Sequence, residues 1–280
     1  MTIRDFDLNI ESVLENWEVE HGIREVIANA LDEQVITGTK DVEIRKDKNG
    51  FWHVVDFGRG LQIDHFTLNE SKEKLESHHT VIGKFGVGLK DALATFHRRG
   101  VEVVARSQFG TYRLTTIGKH GFESIETLHV QYDDTPINMI GTDFLMRVSD
   151  AEMEKAKSLF MKFSSEEVLD ANSYGQILRR KSDMARVYIL GVLASEEPNF
   201  LFSYNITSLT DSMRKRLNRE RLNVGRTTYA DRVKSLLKNA NNEEVKNLLV
   251  AELNKRGIME QSDEMSWVEI SQMALTLYHE

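Results

Sequence analysis

REVIANALDEQ, residues 24–34, is the stretch from which the fold can be read. Around it Ile23, Val26, Ile27, Ala30, Leu31 and Val35 recur at the spacing of one helical face, so the pattern predicts a helix over 22–36. Glu25, Asn29 and Asp32 stand at i, i+4 and i+7 on the other side. That spacing aligns three oxygen-bearing side chains in one row. Taken alone, such a row is the solvated face of an amphipathic helix.

The segments that follow change its meaning. Val42–Lys46 and Phe51–Phe57 read as strands joined at Asn49-Gly50, a hairpin signal. The second strand runs into DFGRGLQ, residues 56–62, where two glycines let the backbone pass close to a flat ligand. Asp56 just ahead of them can accept a hydrogen bond from an exocyclic amine. A polar stretch, 61–82, leads to GKFGVGLKDAL, residues 83–93, a glycine loop opening a helix. Amides in such a loop form an anion cradle. The loop does not fit the P-loop template, and Leu89-Lys90-Asp91 after Gly88 rules out G-x-G-x-x-G. Farther on, Gly141-Thr142 leads into a strand over 142–148.

The order ExxxNAxD, DxGxG, GxxGxG and Gly-Thr resembles the GHKL ATPase superfamily, which holds the gyrase B subunit, the ATP-dependent heat-shock chaperones, bacterial histidine kinases and the MutL proteins. REVIANALDEQ resembles its N-box, DFGRGLQ and GKFGVGLKDAL its glycine boxes, and GTDFLMRV its closing Gly-Thr box. The resemblance covers roughly residues 20–148. It implies an α+β fold: a two-layer sandwich of the Bergerat type with a mixed sheet, then a smaller, helix-rich, transducer-like α/β domain. It also implies ATP and Mg²⁺ as ligands. Glu25 matches the general base for water, Asn29 the Mg²⁺ ligand, and Asp32 a supporting group. Asp56 matches the adenine-reading carboxylate, with Gly58, Gly60 and Leu61 beside it and Thr142 fixing the base. Gly83, Lys84, Phe85, Gly86, Val87 and Gly88 match the loop around the β- and γ-phosphates. Residues 61–82 match the ATP lid, in which His78-His79 reads as polar loop rather than a metal pair. Glu25 favours the hydrolysing branch near gyrase B, MutL and MORC-type ATPases, with ATP-gated homodimerisation and an effector protein as partner. The alternatives are a nucleotide-sensing module with little turnover and, less favoured, a protein kinase.

The remaining chain sets broader bounds. Of 280 residues, 40% are hydrophobic and 29% charged, with a formal charge of −8, which excludes a globally basic nucleic-acid coat. There is no cysteine, so disulfides, thiol catalysis and Cys-ligated metals are excluded. The opening MTIRDFDLNI has no apolar signal core, and the longest apolar run is Val187–Ala194. A cytoplasmic protein without a membrane span is the expectation. The expected domains are 1–162 and 175–280, divided by the polar stretch 163–175. A helix is expected over 150–162, then strands at about 176–181, 186–193 and 200–206, and the last 70 or so residues read as mostly helical. Between Arg214 and Lys234 eight basic residues face two acidic ones, a net +6 that leaves −14 elsewhere. Three uses of that segment stay open: completing the ATP site through Lys215, Arg219, Arg221 or Arg226, contacting DNA phosphates, or forming a solvated helix face. Val245, Leu248, Leu249 and Leu253, and then Trp267, Ile270, Ala274, Leu277 and Tyr278, form apolar stripes whose expected use is core packing.

Overall fold

The computed structural model describes residues 3–8, 17–66, 82, 88–119, 122–217, 224–255 and 259–279. Its chain forms two units, Met1–Lys157 and Ser158–Glu280. The stretch 163–175 lies inside the second unit and contributes a strand there.

The first unit contains β1 (Ile3–Asp7), α1 (Val19–Thr37), β2 (Glu43–Lys46), β3 (Trp52–Val55), α2 (Gly88–Arg98), β4 (Val103–Ser107), β5 (Gly110–Lys119), β6 (Phe122–Asp133), β7 (Thr142–Met146) and α3 (Asp150–Ser158). Its strands form one sheet in the order β1-β6-β5-β4-β7-β3-β2. Every neighbouring pair is antiparallel, so this sheet is not mixed as expected. Val54, Phe144, Met146, Ala105 and Tyr112 share one face by register and are buried. Leu93 of α2 lies among Ala105, Tyr112 and Phe144, which puts the helix on that face. Burial alternates along β4, whereas β3 and β7 also bury His53, Val55 and Leu145 on the opposite face.

Two close approaches set α1 against α2. A Cβ at Gly22 would meet the Phe96 ring at 2.8 Å, and a Cβ at Gly88 would stand 2.1 Å from Glu25 Oε2. The helices run antiparallel across these contacts, with Phe96 and Ile23 fully buried. The predicted apolar stripe holds except at its end, where Val35 is exposed.

The second unit contains β8 (Val168–Asn172), β9 (Gly175–Leu178), β10 (Ala185–Ile189), β11 (Val192–Glu197), β12 (Ser203–Ile206), α4 (Asp211–Arg216), α5 (Arg226–Lys238), α6 (Glu243–Leu253) and α7 (Val268–His279). The sheet order is β11-β10-β12-β9-β8, and β10 and β12 pair in parallel. The apolar run 187–194 is not one strand. It folds back at Leu190-Gly191, where both residues have positive φ (52° and 78°), the pattern of a type I′ turn. A leucine rarely adopts that region. Here Leu190 N donates to the Ile206 carbonyl and Gly191 N to Asn205 Oδ1, both at 2.9 Å, so tertiary bonds hold the turn.

Phe200, Phe202, Tyr204 and Ile206 all enter the core of this unit, as their shared spacing predicts. Val245, Leu249, Ile270 and Ala274 pack into the same core, with Leu248, Leu253 and Trp267 at its margin. Tyr278 is exposed instead. Beneath the aromatic strand, Glu264 is fully buried and accepts from Leu201 N, Phe202 N and the Tyr204 hydroxyl. Burial pushes its carboxyl up, and those donors oppose the rise. Phe202→Ala should remove about 3–5 kcal/mol of stability, read as a lower urea midpoint at unchanged slope.

Candidate functional site

The site is assembled where β3 ends, β7 begins and α1 meets α2. Asp56 leaves β3 and is 6% exposed. Its amide donates to the Thr142 carbonyl at 3.0 Å, and its Oδ1 accepts from Gly58 N at 3.0 Å. The Thr142 hydroxyl also bonds the carboxylate. Burial pushes the Asp56 carboxyl up to about 6, Glu33's charge adds to this, and the Gly58 and Thr142 bonds oppose it. A carboxylate so placed gains from any further hydrogen-bond donor brought to it. Asp56 and Thr142 are therefore brought together, although 86 positions separate them in the chain.

Gly141 makes that junction possible. Its φ is +76°, and a Cβ there would stand 2.0 Å from the Asp56 carbonyl oxygen. Gly60 lies beside it, 3.1 Å from the Gly141 carbonyl by the same measure. Leu61 is buried, and its carbonyl accepts the Ser107 hydroxyl at 2.6 Å and the Tyr112 hydroxyl at 2.9 Å. The first glycine box is thus fastened to the sheet just past its turn.

On α1 the polar row is not a solvated face. Glu25 is 3% exposed and Asp32 is 1% exposed, while Asn29 is half-buried between them. Glu25 Oε1 accepts from Arg24 Nη2 at 2.8 Å and Nε at 3.1 Å. Asp32 Oδ1 accepts from Ile82 N at 2.5 Å, which ties the end of the predicted lid to the helix. Gly88 opens α2 directly against Glu25, so its lack of a side chain makes room for that carboxylate. Asp91, one turn farther along α2, is pushed up to about 6 by burial and then by the Glu25 charge, with Lys90 opposing. Gly83, Lys84, Phe85, Gly86 and Val87 lie outside the described residues, as do His78 and His79. Of the lid, 61–66 and Ile82 are described, with a short 3₁₀ turn at Ile63–Phe66.

Sequence reasoning missed one strong pair. Glu33 accepts from Arg59 N, Nε and Nη2 at 2.8–2.9 Å, and a Cβ at Gly58 would collide with the Glu33 side chain. Burial pushes the Glu33 carboxyl up, and the Arg59 bonds more than reverse that. The pair clamps α1 to the first glycine box; the signal was the acidic residue after Asp32 and the arginine between two glycines.

In the second unit, the basic segment is partly consumed by its own fold. Arg226 bonds Glu197 and pairs with Asp263 at 2.8 Å. Lys234 pairs with Asp231 at 2.8 Å, and Arg232 lies over the Tyr174 ring. Arg226 is therefore engaged within its own unit; Arg219 and Arg221 fall outside the described residues, as does the Lys215 side chain.

Comparison with known proteins adds a family. An uncharacterised Mycoplasma pneumoniae protein is 37% identical over 247 residues, covering 86% of this chain and 99% of that one. The chain belongs to the family of that mycoplasmal protein. Residues 151–243 match the family model described as the Mycoplasma pneumoniae MPN635 N-terminal domain. Outside this mycoplasmal family, the B subunit of DNA topoisomerase 4 from Caulobacter vibrioides is 31% identical over 111 residues, covering 39% of this chain and 16% of that one. The B subunit of DNA gyrase from Synechocystis is 35% identical over 113 residues, covering 39% of this chain and 10% of that one. The chain thus spans a small part of those two proteins. A crystal structure of the 43K ATPase domain of Thermus thermophilus gyrase B with an aminocoumarin aligns at 14% identity and a TM-score of 0.30, over 62% of this chain and 61% of that one. No helix among the described residues is long and apolar enough to cross a membrane.

Two outcomes follow for the recess. Gly141→Ala should cost roughly 2 kcal/mol or more, measured by denaturant unfolding, because it combines an unfavourable φ with a backbone collision. Adenosine, which carries no phosphate to titrate, serves as an amine-bearing probe and should bind more weakly as pH falls through about 6, because protonation removes the Asp56 charge and turns one of its two oxygens into a donor. Calorimetry at pH 5 and 7.5 would read the loss, and Asp56→Asn should abolish the pH dependence along with most of the affinity.

Proposed function

We propose that the first unit is an ATP-binding and ATP-hydrolysing module of the GHKL type. The observation that carries this reading is the buried Asp56–Thr142 junction, whose loop is clamped by Glu33 to the same helix that bears Glu25, with the Glu25 carboxylate against the first residue of α2. The stretches shared with the gyrase and topoisomerase 4 relatives support it. In this reading Asp56 accepts the adenine amine, Thr142 steadies the base, and Gly58, Gly60 and Leu61 form the edge that it slides along. The loop Gly83–Gly88 holds the β- and γ-phosphates ahead of α2, where backbone amides favour negative charge.

Glu25 is the general base. The oxygen of a water bonds to the γ-phosphorus as the bond to the β,γ-bridging oxygen breaks, and Glu25 takes the water's proton, giving ADP and phosphate. The residues fit a hard cation beside the phosphates. Asn29 offers one amide oxygen next to Glu25, and among the described residues no three His, Cys, Asp or Glu side chains cluster as a metal cage. Mg²⁺ held by Asn29 would neutralise phosphate charge. Asp32 secures the end of the lid through the Ile82 amide, so lid order and the nucleotide site share α1. ATP-bound protomers would associate and convey lid closure to a protein partner.

Mg²⁺-dependent phosphate release tests the proposal. The wild-type chain should release phosphate from ATP, and Glu25→Ala should lose about 100-fold or more while still binding nucleotide. Gly88→Ala should behave similarly, because its methyl displaces the Glu25 carboxylate. No release from the wild type, with ATP bound, would favour a nucleotide-sensing module.

A further inference from the structure

The contact that positions the proposed base leads outward to the segment entering α1. Arg24 and Glu25 are adjacent in sequence, and both are 3% exposed. The guanidinium uses two donors, Nε and Nη2, on a single oxygen, Oε1. Oε2 is the oxygen that lies toward Gly88. The grip therefore fixes the carboxylate's rotation and turns Oε2 toward the start of α2. A planar guanidinium imposes such an orientation, whereas an ammonium supplies only a point charge.

Arg24 is itself held. Its guanidinium carbon lies 5.2 Å from the centre of the Trp17 ring. Trp17 is anchored from the far end of α2: Arg98 Nη2 donates to its carbonyl at 2.7 Å, and Arg99 pairs with neighbouring Glu18 at 2.5 Å. His21 stacks obliquely on the same ring, and its Nδ1 accepts from Glu18 N at 2.9 Å. A continuous series of contacts thus runs from the C-terminus of α2 through Trp17 and Arg24 to Glu25.

We propose that Arg24 is a positioning residue for Glu25 and that Trp17 holds Arg24 in place, so that the segment entering α1 governs how well the base is aimed. This inference rests on the ATPase reading above. An aromatic face over a cation restrains it without taking up its hydrogen-bond donors, which leaves the fork available for the carboxylate. Displacing Trp17 would loosen the aim without touching the nucleotide. The expected kinetic signature is a fall in kcat with KM for ATP unchanged.

The test compares Arg24→Lys, Arg24→Met and Trp17→Leu with the full-length wild type, each checked for cooperative unfolding. Phosphate release should fall roughly tenfold in kcat for Arg24→Lys and for Trp17→Leu, with KM within about twofold. Arg24→Met should lose more; if it fails to fold, Trp17→Leu carries the test alone, since it leaves both charges in place. A parallel readout needs no turnover: the Arg24 Nε–H should give a slowly exchanging NMR resonance in the nucleotide-free protein, lost in Glu25→Gln and broadened in Trp17→Leu. Unchanged kcat in Arg24→Lys and Trp17→Leu, or losses confined to KM, would overturn the positioning role. Absent phosphate release from the wild type, with the NMR resonance behaving as described, would overturn the ATPase reading while leaving the grip itself demonstrated.

Discussion

The close approach of α1 and α2 is the constraint on which the rest of the first unit depends. Two glycines permit it, Gly22 beneath Phe96 and Gly88 beneath Glu25. With those side chains absent, the helices come near enough to bury Ile23 and Phe96 fully. The same approach draws a carboxylate out of water, which costs free energy unless donors meet it. Arg24 supplies two. Packing and chemistry are therefore coupled here: the geometry that completes the core also places the acidic group at the end of a helix.

A second constraint works across the sheet. Gly141 lets the chain turn tightly against Asp56, so the end of β3 and the start of β7 share hydrogen bonds in both backbone and side chain. The result is a buried carboxylate of raised pKa at the sheet's end, next to the firm Glu33–Arg59 clamp. Perturbed groups in a recess are the usual mark of a functional site. Here the two recessed carboxyls, Asp56 and Asp91, have different neighbours: a threonine hydroxyl and a turn amide for one, a second carboxylate for the other.

Much of this is legible in the sequence alone. The period of Ile23 to Leu31 marks α1, and Asn49-Gly50 marks the β2–β3 hairpin. The aromatic alternation from Phe200 to Ile206 marks the central strand of the second core. What stays hidden is decided by distant partners. β1 has a sequence, IRDFD, with little apolar signal, and becomes a strand by pairing with β6 more than a hundred residues away. The Leu190-Gly191 turn lies inside an apolar run, and only its bonds to β12 reveal it. The polar row of α1 looks solvated in sequence because periodicity reports which residues share a face, not what covers that face. The grip of Arg24 on Glu25 is hidden for a related reason, since adjacent helical residues do not ordinarily face one another.

In the proposed function, the Asp56–Thr142 recess reads the amine edge of adenine. The most direct measurement is the affinity of the wild-type chain for ATP and for GTP under identical Mg²⁺ and salt, by calorimetry. Guanine turns a carbonyl oxygen toward the position where adenine offers an amine, so it would set an acceptor against the carboxylate. ATP should bind, with GTP weaker by about 100-fold or more, the discrimination expected where a buried polar group is left without its partner. Equal affinity for the two nucleotides, or binding of neither, would contradict it.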